Sequence, residues 1–496
     1  MVLVPISFLG FGDHSLPSEE EKDFAQNVLF AITAFLWAAY LWETFLSSRQ
    51  RRIYLKVQKM PPNLQDIMEE EEFEKARVYS LDRANFSLVK ELFDQLVLTL
   101  VLFGGLPLAW DIGRSMTDCF YTKTGWKWEK GSQGDEIWQS LACVLVINTF
   151  NKVISLPFSI YSTFVVEAKH GFNKQTPWFY VKDQIKAFLV GQIITFPLIG
   201  GFIAIIQVGG DYFFIFLWLF SVVVMLFLMA IYPDFIAPLF DKYTPLEEGP
   251  LRTSIEELAA SLHFPLKKIY IVEGSKRSAH SNAYFYGFWN NKRIVLFDTL
   301  LKDKSKSEEE KEEGDQKDED ERNKKEDEGE GKKEDNEVEE KKEGKGCSNE
   351  EILAVLGHEL GHWYHNHVLK NIVIIQANLF LMFLFFSMIY HQPFIYHAFG
   401  FMNERPILMG LIIVLQILLL PYQEVLGFLV TALSRHFEFQ ADRFAKSLRK
   451  AGELQSALVK LNRDNLGFPI HDWLYSAWHH SHPPLLQRLE GLQKGD

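Results

Sequence analysis

Seven stretches of the 496-residue chain are almost free of charge for long enough to suggest membrane crossings. A bilayer core of about 30 Å, at 1.5 Å per helical residue, needs roughly 20 apolar positions. Residues 24–42, 187–210, 212–233 and 371–390 meet this directly, the last being stopped by His391 and Pro393. Residues 95–110 run short, 137–166 are interrupted by Lys152 and Pro157, and 406–434 contain Pro421 and Glu424. Charges inside spans, here Lys152 and Glu424, are functional candidates by default, against the plainer readings of a snorkelling lysine or a helix kink.

The pattern changes between the fifth and sixth stretches. Residues 250–262 have helical spacing, while 268–272, 280–286 and 292–297 are short β-branched and aromatic runs separated by turn residues, which predicts a meander. Residues 302–345 hold 13 Lys/Arg and 21 Asp/Glu, too much charge and too little apolar surface to fold, and read as a solvated linker. Order resumes at Ser348-x-x-Glu351, a capping box that opens a helix. Outside the charged run only 81 of 452 residues are charged, below the ~25 % usual for soluble domains. The formal charge of −13 argues against a nucleic-acid partner, and three scattered cysteines exclude both a disulfide scaffold and a cysteine zinc site.

Charge also orients the chain. Glu19, Glu20, Glu21 and Asp23 are wrong for a signal peptide, so the first stretch is read as a retained span. Arg49, Arg51, Arg52, Lys56 and Lys59 follow it, which puts residues 1–23 in the lumen and the loop 47–94 in the cytosol. The expected organisation is then a lumenal 1–23, spans one to five over 24–233, a cytosolic catalytic insert over 234–370, spans six and seven over 371–434, and a cytosolic 435–496.

The chemistry lies in that insert. His358-Glu359-Leu360-Gly361-His362 is an H-E-x-x-H motif inside the capped helix. Histidines at i and i+4 share a helix face, so both imidazoles can reach one Zn²⁺, and Glu359 can act as general base on a water in an open coordination position. A third ligand is required. His365 and His367 are candidates, but a continuous helix cannot easily wrap three ligands round one ion. Glu438, just after the seventh span and on the same expected side, is the better one, with Asp442 placed to accept a ligand's second ring N–H. The plainer reading of Glu438 and Asp442 is an exposed acidic helix face.

These residues, with Tyr40-Leu-Trp-Glu-Thr-Phe45, Lys169-His-Gly-Phe-Asn173, Gly209-Gly-Asp-Tyr-Phe213, His280-Ser-Asn-Ala-Tyr-Phe-Tyr-Gly287, Trp363, Phe437-Glu-Phe-Gln-Ala-Asp442 and Ser481-His-Pro-Pro484, resemble the zinc-dependent type I CaaX prenyl proteases, the family of the a-factor-converting and prelamin A-processing enzymes. Ala168, where the family often has glutamate, and the long charged insert depart from its pattern. The resemblance implies a mostly α, polytopic membrane protein: seven transmembrane helices around an intramembrane chamber, with a cytosolic α+β zinc metalloprotease domain. It implies removal of the C-terminal tripeptide from prenylated CaaX proteins, a second upstream cut in some substrates, one Zn²⁺ per chain, and residence in the endoplasmic reticulum membrane and, in animals, the inner nuclear membrane. It also implies that residues 280–287 form an edge strand holding substrate, through His280, Ser281, Asn282, Ala283 and Tyr284, and that His482 and Arg488 join Glu359 as active-site residues suited to an oxyanion. A monomer in the bilayer is expected. The rivals are a prenyl-independent quality-control metalloprotease, and a transporter whose histidines are incidental.

Overall fold

The computed structural model describes residues 18–125, 129, 131–280, 282–287, 292–301 and 346–494. Ser281, the charged run 302–345 and most of the expected lumenal segment lie outside the described residues. The spans extend beyond their apolar stretches. Helix α1 (Glu19–Lys56) opens on a capping box in which Ser18 and Glu21 each accept from the other's backbone N–H, and its 38 residues reach about 57 Å. Helices α2 (Glu70–Leu100) and α3 (Leu106–Thr124) join across a kink at Val101–Gly105, where Gly104 leaves helical geometry (φ 155°), into one 55-residue stretch. Then come α4 (Gln133–Tyr161), α5 (Pro177–Val208), α6 (Phe213–Ile231), the short α7 (Pro250–Ser261), α8 (Asn349–Tyr364) and α9 (His367–Ile389). After α10 (Pro393–Ala398), α11 (Ile407–Leu411) and α12 (Leu420–Ser447) form a pair bent by 54°. Pro421 sits in the first turn of α12, where its missing N–H costs nothing, and that is where the seventh span breaks. Six continuous spans and this bent pair account for the seven stretches. Helices α13 (Ala451–Asp464), α14 (Trp473–His479) and α15 (Leu485–Gln493) end the chain.

The spans meet in chain order: α1 on α2, α3 on α4, α4 on α5, α5 on α6, α6 on α9, and α9 on the turn Ile412–Leu418 that precedes α12. Helix α14 touches both α12 and α1 and closes the circle. In the most apolar windows of the six continuous spans at most 22 % of residues are buried, far too few for a bundle packed to its axis. The arrangement is a ring. Lys152 donates to Gln184, Asn148 to Gln192 (3.1 Å) and Tyr422 to Asn378 (2.8 Å), so mid-span polar groups tie neighbouring helices together. Lys152 is thereby explained as a structural contact.

One end of the ring is filled. Ile203, Phe213, Leu217 and Phe386 join Tyr396, Phe399, Met409 and Ile413 in a single apolar cluster that plugs it. The other end carries the second core, built from the sheet, α7, α8 and α13. Its sheet corrects the expected meander. Strands β1 (Tyr243–Pro245), β2 (Leu266–Val272), β3 (Ala283–Tyr286) and β4 (Lys292–Phe297) lie in the order β1-β2-β4-β3, with β2 and β4 parallel and the other pairs antiparallel. Burial explains the order: Ile294, Val295 and Leu296 are consecutive and all fully buried, so β4 takes an interior position covered on both faces. The less buried β3 is left at the edge.

The chain leaves this domain at Leu301 and re-enters beside it, where the Cys347 N–H donates to the Leu300 carbonyl (2.9 Å) and Leu301 bridges Cys347. Deleting residues 305–343 is therefore expected to leave folding intact. A shorter connection between adjacent ends changes the closure cost by only about 1 kcal/mol. Thermal unfolding in detergent checks this, and a loss of cooperative unfolding would show that the run packs on the protein.

Candidate metal centre

Helix α8 is fixed before its histidines are reached. Ser348 caps it, accepting from the Glu351 N–H, and Glu351 is held in turn by Ser456 (2.5 Å) and Lys460 (2.9 Å) on α13. Ile352, Leu356 and Leu360 are buried in the second core, which sets the rotation of the helix. Its other face meets α12 at very short range. A Cβ on Gly361 would stand 3.0 Å from the Ala441 Cα and 3.1 Å from the Phe444 Cβ, so any larger side chain would push α12 back by a few tenths of an ångström.

That approach assembles the site. The Nε2 atoms of His358 and His362 are 3.2 Å apart, and Glu438 of α12 lies 3.5 Å from the first and 3.3 Å from the second. A tetrahedral ion with bonds of about 2.0–2.1 Å separates its donors by about 3.3 Å. The His–His distance matches that spacing, the two rings each meet a different Glu438 oxygen (Oε2 and Oε1) at a similar distance, and among the described residues this is the group that can hold a metal ion. The Glu438 Oε2 is buried without a hydrogen-bond partner in the protein, as a ligand oxygen would be.

Behind the donors, the His358 Nδ1 lies 2.8 Å from Asp442, which accepts from the Nε (3.0 Å) and Nη2 (2.6 Å) of Arg488. Asp442 thus holds His358 with Nε2 free for a metal. Arg488 is half-buried, with Nη2 also 3.3 Å from His358 and Nη1 3.7 Å from Glu438, so its guanidinium touches Asp442, His358 and Glu438 together. His482 is on the open side. It is 69 % exposed, and its Nε2 is 3.3 Å from Glu438. The neighbouring tail histidines go elsewhere: His479 pairs with Glu43 (3.2 Å), and burial depresses His480 to about 4. Burial raises the carboxyl of Glu359 above its ordinary range, which favours a group that exchanges a proton. His365 and His367 are not part of the metal group.

The edge strand β3 packs on α8. Asn282 is exposed at its start, its side chain accepting from the Ala283 N–H (2.8 Å) and its carbonyl from the Phe297 N–H (3.1 Å). Ala283 is buried, and Tyr284 meets Tyr243 hydroxyl to hydroxyl (3.3 Å). His280 is drawn away from the metal group: its ring stacks on Phe172 (4.1 Å), and Nδ1 is 3.0 Å from Asn465. Gly361, Ala441 and Gln440 escaped the sequence reading. The only available signal was a small residue three positions after His358 facing another three positions after Glu438.

Residues 50–242 match the family described as "CAAX prenyl protease N-terminal, five membrane helices", and residues 245–495 match peptidase family M48. The chain is 50 % identical over 480 residues to the human CAAX prenyl protease 1 homolog, covering 97 % of this chain and 98 % of that one. It is 33 % identical over 477 residues to CAAX prenyl protease 1 of Saccharomyces cerevisiae, covering 93 % and 94 %. The crystal structure of S. mikatae Ste24p superposes with a TM-score of 0.79 at 32 % identity, covering 96 % of this chain and 100 % of that one.

Proposed function

This chain belongs to the CAAX prenyl protease 1 family of M48 peptidases, and we propose that it uses zinc to release the C-terminal tripeptide of prenylated CaaX proteins. The observation that carries the reading is the His358–His362–Glu438 triangle, set between an open sheet edge and a ring of membrane helices. Two imidazoles 3.2 Å apart with one carboxylate beside both suit zinc, which when bound lowers the pKa of a water and polarises a carbonyl.

The chain's own residues supply the rest. An extended peptide adds to β3 through backbone hydrogen bonds, with the Asn282 side chain at the start of the strand and Ala283 and Tyr284 along the contact. Glu359 takes one proton from the attacking water and gives it to the departing amine, then passes on the second from the hydroxyl of the tetrahedral intermediate, so both water protons end on the nitrogen and the products are a carboxylate and an ammonium. His482, on the open side of Glu438, faces the developing oxyanion. Asp442 and Arg488 act through His358 by holding its ring. A second, upstream cut is open to any extended segment that reaches β3.

The protease end of the ring is also the end at which α1 presents Arg49, Arg51 and Arg52, which supports a cytosolic active site and a lumenal N-terminus; the endoplasmic reticulum or inner nuclear membrane location rests on the family resemblance. The proposed unit is a monomer in the bilayer.

Zinc-dependent tripeptide release from farnesylated and bare versions of one peptide tests this reading. A farnesyl chain has fifteen carbons, and at about 0.8 kcal/mol per buried CH₂ even partial burial supplies several kcal/mol away from the scissile bond. The lipid is expected to lower KM with little change in kcat. Equal KM values would remove the lipid from recognition, and a difference confined to kcat would make it an aligning group.

A further inference from the structure

The two metal-binding histidines are supported in different ways, and only the support of His358, a carboxylate, is the usual kind. The Nδ1 of His362 lies 3.0 Å from the Nδ1 of His367. The Nε2 of His367 lies 2.8 Å from the Gln440 Oε1, and the Gln440 Nε2 lies 3.1 Å from the His436 Nε2. In a continuous helix a residue five positions on points about 140° away. The contact exists because α8 and α9 are broken at Asn366, whose φ of 56° and ψ of 33° lie in the left-handed region. His367 is 2 % exposed and stacks on Phe437 (4.0 Å, 9°), the residue before Glu438, so it has little room to turn.

Hydrogen-bond direction gives this chain a function. An amide oxygen only accepts, so with Oε1 towards His367 the Nε2 of that ring carries the proton and its Nδ1 carries the lone pair. The His362 Nδ1–H then donates to His367, leaving the His362 Nε2 unprotonated and facing His358 and Glu438. With the amide reversed, each proton shifts to the other nitrogen and His362 presents an N–H where a metal requires a lone pair. We propose that His367 and Gln440 are positioning residues that hold His362 in its metal-binding tautomer through a neutral imidazole–amide relay. This rests on the zinc reading above.

Gln440 is half-buried and its replacements should fold, so it carries the test. Full-length protein in detergent is titrated with zinc against a competing chelator, and the unfolding midpoint of the metal-free form is recorded in parallel. Gln440→Met keeps the length and removes the acceptor, and is expected to weaken zinc binding ~10–100-fold with the metal-free midpoint unchanged. Gln440→Glu retains an accepting oxygen and is expected to bind zinc within a few-fold of the parent. His367→Phe, which keeps the stacking, should match Gln440→Met. Parent-like zinc affinity in Gln440→Met, or equal weakening in Gln440→Met and Gln440→Glu, would overturn the relay. A parent protein that takes up no zinc would instead overturn the metal assignment beneath it.

Discussion

Glu359→Gln is expected to abolish peptide hydrolysis while zinc stays bound. The substitution removes the only role assigned to the carboxylate, proton exchange, and leaves His358, His362 and Glu438 untouched. Losing a positioned general base typically costs 10²–10⁴-fold, and here the same group must also protonate the leaving amine, so the loss belongs at the upper end. The amide is nearly isosteric, so packing around α8 is preserved. Bound zinc and turnover measured on one preparation decide the matter. Stoichiometric zinc with turnover near the parent's would remove Glu359 from the chemistry, whereas loss of both would make it a structural residue.

Glu438→Ala is expected to lose metal and activity together. Glu438 is buried and is the third donor of the triangle. Without it, two imidazoles remain to hold the ion. Asp442→Asn should be milder, weakening zinc binding ~10–100-fold, because the ligand stays and only its orientation suffers. Elemental analysis after chelator challenge separates the two variants. Full zinc in Glu438→Ala would pass the third position to another donor, and His482, 3.3 Å from Glu438, is the nearest one on the open side.

The seven spans were legible because the length of an apolar run is a local property, fixed by bilayer thickness. Their true ends were not. Arg49 continues α1 as helix because it meets Asp472 (2.8 Å) some four hundred residues later, and Glu72 near the start of α2 meets Arg463 (2.5 Å) in the same way. The strand segments were legible, and so was the pairing of β3 with β4, but the place of β4 was not: a meander sets β2 beside β3, whereas the burial of Ile294–Leu296 places β4 between them. The His pair was readable from helical spacing, and Glu438 from its expected depth beside the membrane. Gly361 against Ala441, and the line from His362 through His367 to Gln440, involve two helices at once and leave no periodic trace in either.

Glu438 rides on α12, the helix that is also the last crossing, while His358 and His362 ride on the helix leading into the sixth. The candidate metal centre is therefore not a module. A fragment cut at the membrane boundary, such as residues 234–366, would retain the sheet and both histidines yet lack an ion-binding site. An engineer could not transplant this protease without its anchor. Substitutions that tilt α12 to suit a thicker or thinner bilayer would be tolerated only if they preserved the contact at Gly361, so the scaffold and the hydrolytic chemistry must change together or not at all.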